Sequence, residues 1–156
     1  MRLHICAVGR LRAGPERDLI DDYITRCDRT GRGLGLGPVS EHQVDLRKSG
    51  GMSAEAAALS RVIPSGARIC ALDERGRTFD SVTFARLLGD WRDAGAPDAA
   101  FVIGGADGLQ PDPTAQADCV LSLGPMVWPH MLVRVMLAEQ LYRAASILAG
   151  SPYHRV

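Results

Sequence analysis

The C-terminal end of the chain carries three reactive side chains in consecutive positions. Pro152-Tyr-His-Arg155 presents a phenol, an imidazole and a guanidinium. An imidazole exchanges a proton near neutral pH, and a guanidinium binds anions through a fixed fork of N–H donors. Most chain ends are polar and frayed because they pack against little, whereas this one follows a long apolar segment. We therefore interpret Tyr153, His154 and Arg155 as candidate site residues.

Three glycine-containing segments follow apolar, strand-like runs, and we predict that each is a loop. They are Leu72-Asp-Glu-Arg-Gly76, Gly104-Gly-Ala-Asp-Gly108 and Gly124-Pro-Met-Val-Trp128. In open α/β sheets, ligands bind at the carboxyl ends of the strands, and glycine lets the backbone approach a ligand closely. A Gly-Gly pair suits a tight turn equally well. The prediction of a ligand site therefore depends on the coincidence of all three loops with the terminal motif.

A fourth glycine-rich segment, Thr30-Gly-Arg-Gly-Leu-Gly-Leu-Gly37, looks at first like a phosphate loop. It has neither the G-x-G-x-x-G register nor the G-x-x-x-x-G-K-[ST] pattern, and it does not link a strong strand to a helix. We predict a flexible surface loop there. A further loop is predicted at Lys48-Ser-Gly-Gly-Met52.

The elements that must position these residues alternate between strands and helices. Apolar β-prone runs predict strands, and apolar residues at helical spacing predict helices between them. The strand runs are continuous, which is typical of a parallel sheet covered on both faces. The sequence therefore predicts an α/β domain with right-handed crossovers. The predicted strands are 3–8, 38–44, 67–72, 99–103 and 119–123, and the predicted helices are 15–29, 53–63, 81–94 and 129–149.

The last predicted helix differs from the others because its polar residues do not line up on one face. A helix that is apolar nearly all round is buried. In so small a domain, packing against a second copy explains such a helix, and we predict a homodimer. Glu139 and Arg143 are four residues apart in this helix and can pair with each other, so we interpret Glu139 as structural.

Length and composition exclude several classes of protein. A chain of 156 residues suits one domain, 1–156. Its apolar runs are too short, or too interrupted by charge, to cross a membrane, and it opens without a secretory signal, so we expect a cytoplasmic protein. The formal net charge of +0 gives no sign of a broadly basic nucleic-acid-binding domain. Any anion site must be local.

The cysteines suit buried, reduced thiols. Cys6, Cys27, Cys70 and Cys119 are far apart with no C-x-x-C pair, and three of them lie inside apolar runs. This pattern favours reduced thiols over disulfides or zinc ligands. We therefore predict no metal site and assign the cysteines no chemistry.

Several spaced motifs, taken together, point to one family. Gly9-Arg10 and Leu72–Gly76 contribute to the pattern, and the more specific motifs are Phe101-Val-Ile-Gly-Gly-Ala-Asp-Gly-Leu109, Leu121-Ser-Leu-Gly-Pro-Met126, Pro129-His130, Arg134-Val135, Ala138-Glu-Gln-Leu-Tyr-Arg-Ala144 and Pro152-Tyr-His-Arg155. Over its whole length the chain resembles the RlmH (YbeA) family of SPOUT methyltransferases. Several motifs in the right order are far more specific than any one of them.

The resemblance implies S-adenosylmethionine-dependent methylation of N3 of a pseudouridine in the decoding-region stem-loop of bacterial 23S rRNA. It also implies a SPOUT fold with a C-terminal trefoil knot and an obligate homodimer. Knots are too rare for physical reasoning alone to predict one. The cofactor pocket would use backbone groups and apolar walls, which suit a sulfonium cofactor without phosphate. Its residues would be Leu72, Gly104, Leu121, Ser122, Leu123, Gly124, Pro125 and Met126.

Methylation at N3 requires loss of the imide proton, and this gives the reactive side chains their expected roles. His154 is the first candidate for general base or proton relay, with Arg155 and Arg143 favouring the anionic base. His130, in the first turn of the last helix, is the second candidate, and a structural role is about equally consistent with its position. Tyr153 can stack on the nucleobase, which is worth about 1–3 kcal/mol per base, or anchor the tail.

The chain departs from the family pattern at Val127-Trp128, where Thr-Leu commonly precedes Pro-His. Val127 lacks a hydroxyl that could cap the last helix, a loss of about 0.5–2 kcal/mol. Two alternatives stay open: a non-catalytic ribosome-binding or assembly factor with the same fold, and a SPOUT methyltransferase with another RNA target. The intact Gly104-Gly105 pair and tail favour the enzyme. Because few phosphate contacts supply little electrostatic affinity, we expect the substrate to be the large subunit or whole ribosome.

Overall fold

The computed structural model describes residues 1–45, 51–105, 109 and 116–155. These residues form one five-stranded sheet flanked by helices, which confirms the predicted α/β class. The strands are β1 (Arg2–Val8), β2 (Val39–Val44), β3 (Arg68–Thr78), β4 (Asp98–Ile103) and β5 (Cys119–Ser122). The helices are α1 (Pro15–Gly31), α2 (Gly51–Val62), α3 (Ser81–Asp93) and α4 (His130–Leu148).

The sheet is parallel throughout, in the order β2-β1-β4-β3-β5. Every predicted strand is present. Parallel strands need long crossovers, and α1, α2 and α3 supply those between the first four strands. All six residues of β4 are buried, which agrees with its continuous apolar sequence. The carboxyl ends of β1, β4, β3 and β5 consequently meet at one edge of the sheet.

The two faces of the sheet are covered unequally. Helices α1, α3 and α4 pack on one face around a core that includes Ile20, Phe101 and Leu141. Helix α2 packs on the other face, where Leu59 joins a smaller cluster with Val102. Both faces of the central strands are therefore buried from solvent, as predicted. Among the described residues, no helix has both the length and the apolar composition that a bilayer span requires.

Strand β3 continues beyond its predicted end, so the expected loop at residues 72–76 is wrong. Leu72 and Arg77 both lie opposite Leu121 of β5, and the residues between them form a bulge. Gly76 permits this arrangement, because a Cβ at that position would lie 2.7 Å from the carbonyl oxygen of Val120. The bulge places charged residues at the carboxyl edge while β3 stays in the sheet.

Residues 30–37 do not form the predicted flexible surface loop. Helix α1 continues to Gly31, and a 3-10 turn follows over Arg32–Leu34. Leu36 is 2% exposed, and its N–H donates to the carbonyl of Gly31 at 3.0 Å. One buried leucine thus anchors the segment.

The start of α2 also differs from the prediction. Helix α2 begins at Gly51, before the predicted start at Ser53, so the last two residues of the predicted loop 48–52 are helical; residues 48–50 of that loop lie outside the described residues. In α1, Leu19 is apolar but 46% exposed, whereas the adjacent Ile20 is buried.

Candidate active site

A cavity of about 420 Å³ lies at the carboxyl edge of the sheet. Its walls come from the ends of β3, β4 and β5 and from the segment that leads into α4. Six of the eight residues predicted to hold the cofactor line it: Leu72, Gly104, Leu121, Leu123, Gly124 and Met126. The fold therefore brings together segments that are far apart in the sequence.

The remaining two predicted cofactor residues, Ser122 and Pro125, do not line this cavity. The buried hydroxyl of Ser122 accepts from the N–H of Gly124 at 3.1 Å and donates to the carbonyl of Gly124 at 3.2 Å. Gly124 has a φ of 106°, which favours glycine. Ser122 and Gly124 thus shape the turn that directs the chain along the cavity wall.

The β3 bulge adds charge at the mouth of the cavity. Asp73, Glu74 and Arg75 all line it, and the sequence analysis included none of them in the site. Arg75 donates to the Asp73 carboxylate through Nε and Nη2, each at 2.8 Å, and this hydrogen bonding lowers the pKa of Asp73. Among the described residues, Glu74 makes no ion pair. Glu74 lies just after the apolar run 67–72, and this position was the feature of the sequence that could have identified it as a site residue.

Exposed apolar side chains surround the entrance to the cavity. Met126 is 67% exposed, Val127 83% and Trp128 38%, and Met131 and Leu132 of the first turn of α4 are 45% and 39% exposed. We call these five residues the apolar rim. Large apolar side chains concentrated on one surface are typical of a protein interaction site.

The structure revises the expected role of Val127. Helix α4 begins at His130, and its N-cap is Pro129, without a side-chain capping bond. Val127 lies two residues before the N-cap, so the expected loss of a capping hydroxyl at position 127 is wrong. His130 lines the cavity. In the segment 104–108, residues 106–108 lie outside the described residues.

The tail is held against α4 by one carboxylate. Oε1 of Glu139 accepts from Nε and Nη2 of Arg143 at 2.9 and 2.6 Å and from the Tyr153 hydroxyl at 3.0 Å. This confirms the predicted pairing of Glu139 with Arg143. The Tyr153 ring packs on Tyr142, with centroids 4.4 Å apart, and lies 4.7 Å from the Arg143 guanidinium carbon. We call Glu139, Arg143 and Tyr153 the tail network.

Tyr153 and His154 differ in what they can contribute. Burial, followed by the hydrogen bond to Glu139, raises the pKa of Tyr153 to about 12, so its phenol stays protonated at neutral pH. Nδ1 of His154 lies 3.4 Å from Nη1 of Arg143. Arg155 is exposed.

His154 and His130 border different cavities of the chain. His154 lines a second, largely apolar cavity of about 700 Å³, together with Phe84 and Gln140. His130 lines the first cavity. The two cavities share a wall formed by residues 121, 123 and 124. Two of the predicted catalytic residues are therefore separated within the chain, with His130 on one side of the wall and His154 on the other.

A buried arginine fixes the end of β1 at the same edge. Arg134 is 2% exposed, and its Nη2 donates to the carbonyls of Val8 and Gly9, each at 2.6 Å. Burial lowers its pKa, which the charge of Glu41 opposes. Arg134 lies one helical turn beyond His130, so it connects the start of α4 to the β1–α1 loop. Sequence reasoning quoted Arg134 in a motif without giving it a role.

Relatives of known class match the whole chain. The sequence model of the family described as "Predicted SPOUT methyltransferase" matches residues 1–154. The chain is 67% identical to ribosomal RNA large subunit methyltransferase H of Dinoroseobacter shibae, over 100% of both chains. It is 68% identical to the protein of the same name from Roseobacter denitrificans, over 99% of both.

Solved structures share the fold at low sequence identity. A probable methylase family protein from Haemophilus influenzae has a TM-score of 0.53 at 13% identity, covering 99% of this chain and 70% of that chain. A probable methyltransferase from Bordetella pertussis has a TM-score of 0.50 at 15% identity, covering 92% and 96%. These two likenesses show the fold alone. The family match and the full-length relatives together show that the chain belongs to the SPOUT methyltransferase family, whose methyl donor is S-adenosylmethionine.

Proposed function

We propose that this protein transfers a methyl group from S-adenosylmethionine to N3 of a pseudouridine in the decoding-region stem-loop of bacterial 23S rRNA, on the large subunit or whole ribosome. The main observation that supports this proposal is the cavity at the carboxyl edge, with its glycine backbone and apolar walls. The names of the full-length relatives support rRNA as the substrate class. The pseudouridine N3 target rests on the resemblance described above. A ribosomal substrate also leads us to expect the protein in the cytoplasm.

The cavity suits the cofactor in size and chemistry. A volume of about 420 Å³ lies within the usual range for small-ligand pockets, about 300–1,000 Å³. We propose that Leu72, Leu121 and Leu123 form apolar walls for the adenine. The backbone of Gly104 and Gly124 would supply hydrogen-bonding groups. When bound, S-adenosylmethionine supplies an electrophilic methyl group on a sulfonium, so no phosphate-binding loop is needed.

The acceptor nitrogen must lose its proton, and we assign this step to His154. The Tyr153 phenol is a poor base because its pKa of about 12 keeps it protonated. Its aromatic ring remains available to stack on the nucleobase. Arg143 and Arg155 would stabilise negative charge on the deprotonated base. Holding the acceptor in line with the methyl group can account for about 7–11 kcal/mol of the barrier.

The separation of the tail from the first cavity supports a homodimer with shared sites. Within one protomer His154 lies on the far side of the wall formed by residues 121, 123 and 124. We propose that a second copy covers the apolar rim and that the tail of each protomer reaches toward its partner's cavity. An exposed fraction of 83% for Val127 and 67% for Met126 supports such a contact.

We further propose that Arg10 and Arg12 contact RNA phosphates beside the cavity. Both are exposed and make no ion pair among the described residues. Their loop is rigid because Leu11 is buried and its N–H donates to Oε1 of Gln43 at 2.8 Å. The hydrogen bonds from Arg134 to the carbonyls of Val8 and Gly9 hold the start of the same loop. A local pair of this kind suits a chain whose net charge is +0.

Charge reversal tests the binding of phosphate by these arginines. We expect Arg10→Glu with Arg12→Glu to weaken binding to ribosomes and to flatten the salt dependence of the affinity, by a slope of about 1 for each phosphate that the protein no longer binds. Cofactor affinity should not change. Arg61→Glu is the matched control, because Arg61 is exposed in the last turn of α2, away from the carboxyl edge. Equal weakening in the control would argue against the assignment.

Transfer of a labelled methyl group from S-adenosylmethionine tests the proposed activity. The acceptors are ribosomes that lack this modification, with ribosomes that lack the pseudouridine as the control. Label at N3 in the first sample alone is the expected result. Cofactor binding without transfer of label would indicate that the enzyme methylates another RNA. Absence of both cofactor binding and label transfer would favour the non-catalytic ribosome-binding factor.

A further inference from the structure

Two cysteines lie opposite each other on neighbouring strands. Cys70 of β3 and Cys119 of β5 are register partners in the parallel sheet. Neighbouring strands are about 4.7–4.9 Å apart, within the Cα separations of about 4.4–6.8 Å that disulfides span. Both side chains also pack in the same core cluster, so they project from the same face. Their sulfur atoms are therefore adjacent, although 49 positions separate them in the sequence.

The two thiols differ in exposure and in protonation. Cys70 is fully buried, whereas Cys119 is half-buried. The hydrogen bond from the Cys70 thiol lowers the pKa of Cys119 to about 7, against the opposing effect of burial and with help from the Arg77 guanidinium. The same hydrogen bond and burial raise the pKa of Cys70. When the pair loses one proton, the negative charge therefore falls on the more accessible sulfur, and the remaining proton stays on its partner.

The other two cysteines provide an internal comparison. Cys6 is 0% exposed and Cys27 is 1% exposed. Burial raises the pKa of each to about 12, so neither forms a thiolate at neutral pH. Thiolate character and access together control cysteine oxidation. Cys119 combines both properties with a second thiol beside it.

We propose that Cys119 is a peroxide-reactive modification site and that Cys70 is its resolving partner, so that the two form a reversible disulfide between β3 and β5. In the first step the Cys119 thiolate attacks an oxygen of hydrogen peroxide. The O–O bond breaks, the released hydroxide takes up a proton to become water, and Cys119 becomes a sulfenic acid. This chemistry does not depend on the proposed methyl transfer.

In the second step the Cys70 sulfur attacks the sulfenic sulfur of Cys119. The S–O bond breaks, and the hydroxyl leaves with the Cys70 proton as water. Two thiols are oxidised to one disulfide, and one hydrogen peroxide is reduced to two waters. A dithiol reductant reverses the change by thiol exchange. The sequence analysis assigned these cysteines no chemistry, and the strand register supplies what the sequence lacked.

The position of the pair connects it to the candidate active site. Leu72 follows Cys70 by two residues, and Leu121 follows Cys119 by two residues. Both leucines line the cavity. A disulfide would cross-link β3 and β5 two residues before that wall.

The test exposes the folded, full-length protein to hydrogen peroxide, followed by alkylation under denaturing conditions and peptide mapping. We expect a cross-linked peptide joining Cys70 and Cys119, its reversal by dithiothreitol, and unmodified Cys6 and Cys27 in the same sample. In Cys70→Ser, whose hydroxyl can still donate a hydrogen bond to Cys119 but cannot form a disulfide, a dimedone probe should trap the sulfenic acid on Cys119. Cys119→Ser should give neither product. Thermal melting establishes that the two variants fold.

A second measurement needs no variant. Alkylation of Cys119 by iodoacetamide in the folded protein should accelerate as the pH rises through about 7, because the thiolate fraction increases there. Absence of the cross-link, equal oxidation of Cys6 and Cys27, or acceleration only above the ordinary thiol range would each overturn the proposal. A disulfide joining Cys119 of two copies would do so as well.

Discussion

The cavity at the carboxyl edge and the tail network differ in chemistry, although only the wall formed by residues 121, 123 and 124 separates that cavity from the one that Glu139 lines. The cavity is lined mainly by glycines and apolar side chains, with the charged residues of the β3 bulge on one wall. In the tail network, one carboxylate oxygen of Glu139 receives donors from Arg143 and Tyr153. We propose that the first arrangement selects a ligand by shape and backbone contacts, and that the second holds the tail, with His154, in position for proton transfer.

This difference assigns separate tasks to the two regions. The cavity is built from strand ends that the sheet fixes, so its binding function depends on the fold as a whole. The tail depends on a few side-chain contacts with α4. Substitutions in the tail should therefore change turnover with little effect on cofactor affinity, and substitutions in the cavity wall should lower cofactor affinity first.

Substitution of His154 should cause the largest change in turnover. We expect His154→Gln to lower turnover by about 10²–10⁴-fold, the usual contribution of a general base, with the cofactor Kd unchanged. His130→Gln is the matched variant on the cavity side, and it should lower turnover less. Single-turnover kinetics and calorimetric cofactor binding measure the two quantities. A larger turnover loss in His130→Gln would transfer the base role to His130.

A smaller effect is expected where β3 meets β5 at the cavity wall. Gly76→Ala would place a Cβ 2.7 Å from the carbonyl oxygen of Val120. Such overpacking costs about 1–3 kcal/mol of unfolding free energy, and the displaced strand should also weaken cofactor binding. Urea denaturation and calorimetry measure both effects.

Gly33→Ala is the control for that substitution, because a Cβ at Gly33 meets nothing within 4 Å. We expect its stability to change by less than about 0.5 kcal/mol. If the Gly76 and Gly33 variants behaved alike, the close approach of the two strands would not matter to the cavity.

The smallest effect is expected from removing one hydroxyl of the tail network. Tyr153→Phe loses the 3.0 Å hydrogen bond to Glu139 but keeps the ring beside Tyr142 and Arg143. A hydrogen bond to a charged group contributes about 1.5–3 kcal/mol to stability. Because the ring contacts that hold the tail remain, we expect only a severalfold decrease in turnover. Tyr153→Ala also removes the ring and should lower turnover further. Equal losses in both variants would contradict the stacking role of the ring.

Local patterns predicted most of the fold. Continuous apolar runs located four of the strands and a weaker run located β2, and helical spacing located the helices to within a few residues. The β3 bulge could not be predicted in this way, because apolar sequence stops at Leu72 and the charged residues after it are typical of a loop. What keeps them in the sheet is the close approach of Gly76 to Val120, a contact between distant parts of the chain.

The candidate site was predictable to a similar degree. Spacing alone predicted the pairing of Glu139 with Arg143, because positions four apart face each other on a helix. The contact of Tyr153 with Glu139 and the burial of Arg134 depend on how the tail and β1 pack against α4, which no local pattern encodes. The trefoil knot and the homodimer stay predictions from the family resemblance.

Removal of the tail tests the division between the two regions most directly. A protein ending at Gly150 retains every residue that lines the first cavity and lacks Tyr153, His154 and Arg155. Cofactor binding and methyl transfer to ribosomes should be measured on the same preparation, with the full-length chain alongside. We predict an unchanged Kd for S-adenosylmethionine and loss of methyl transfer. Retained transfer, or loss of cofactor binding in a truncated protein that still folds, would contradict the assignment of binding to the cavity and chemistry to the tail.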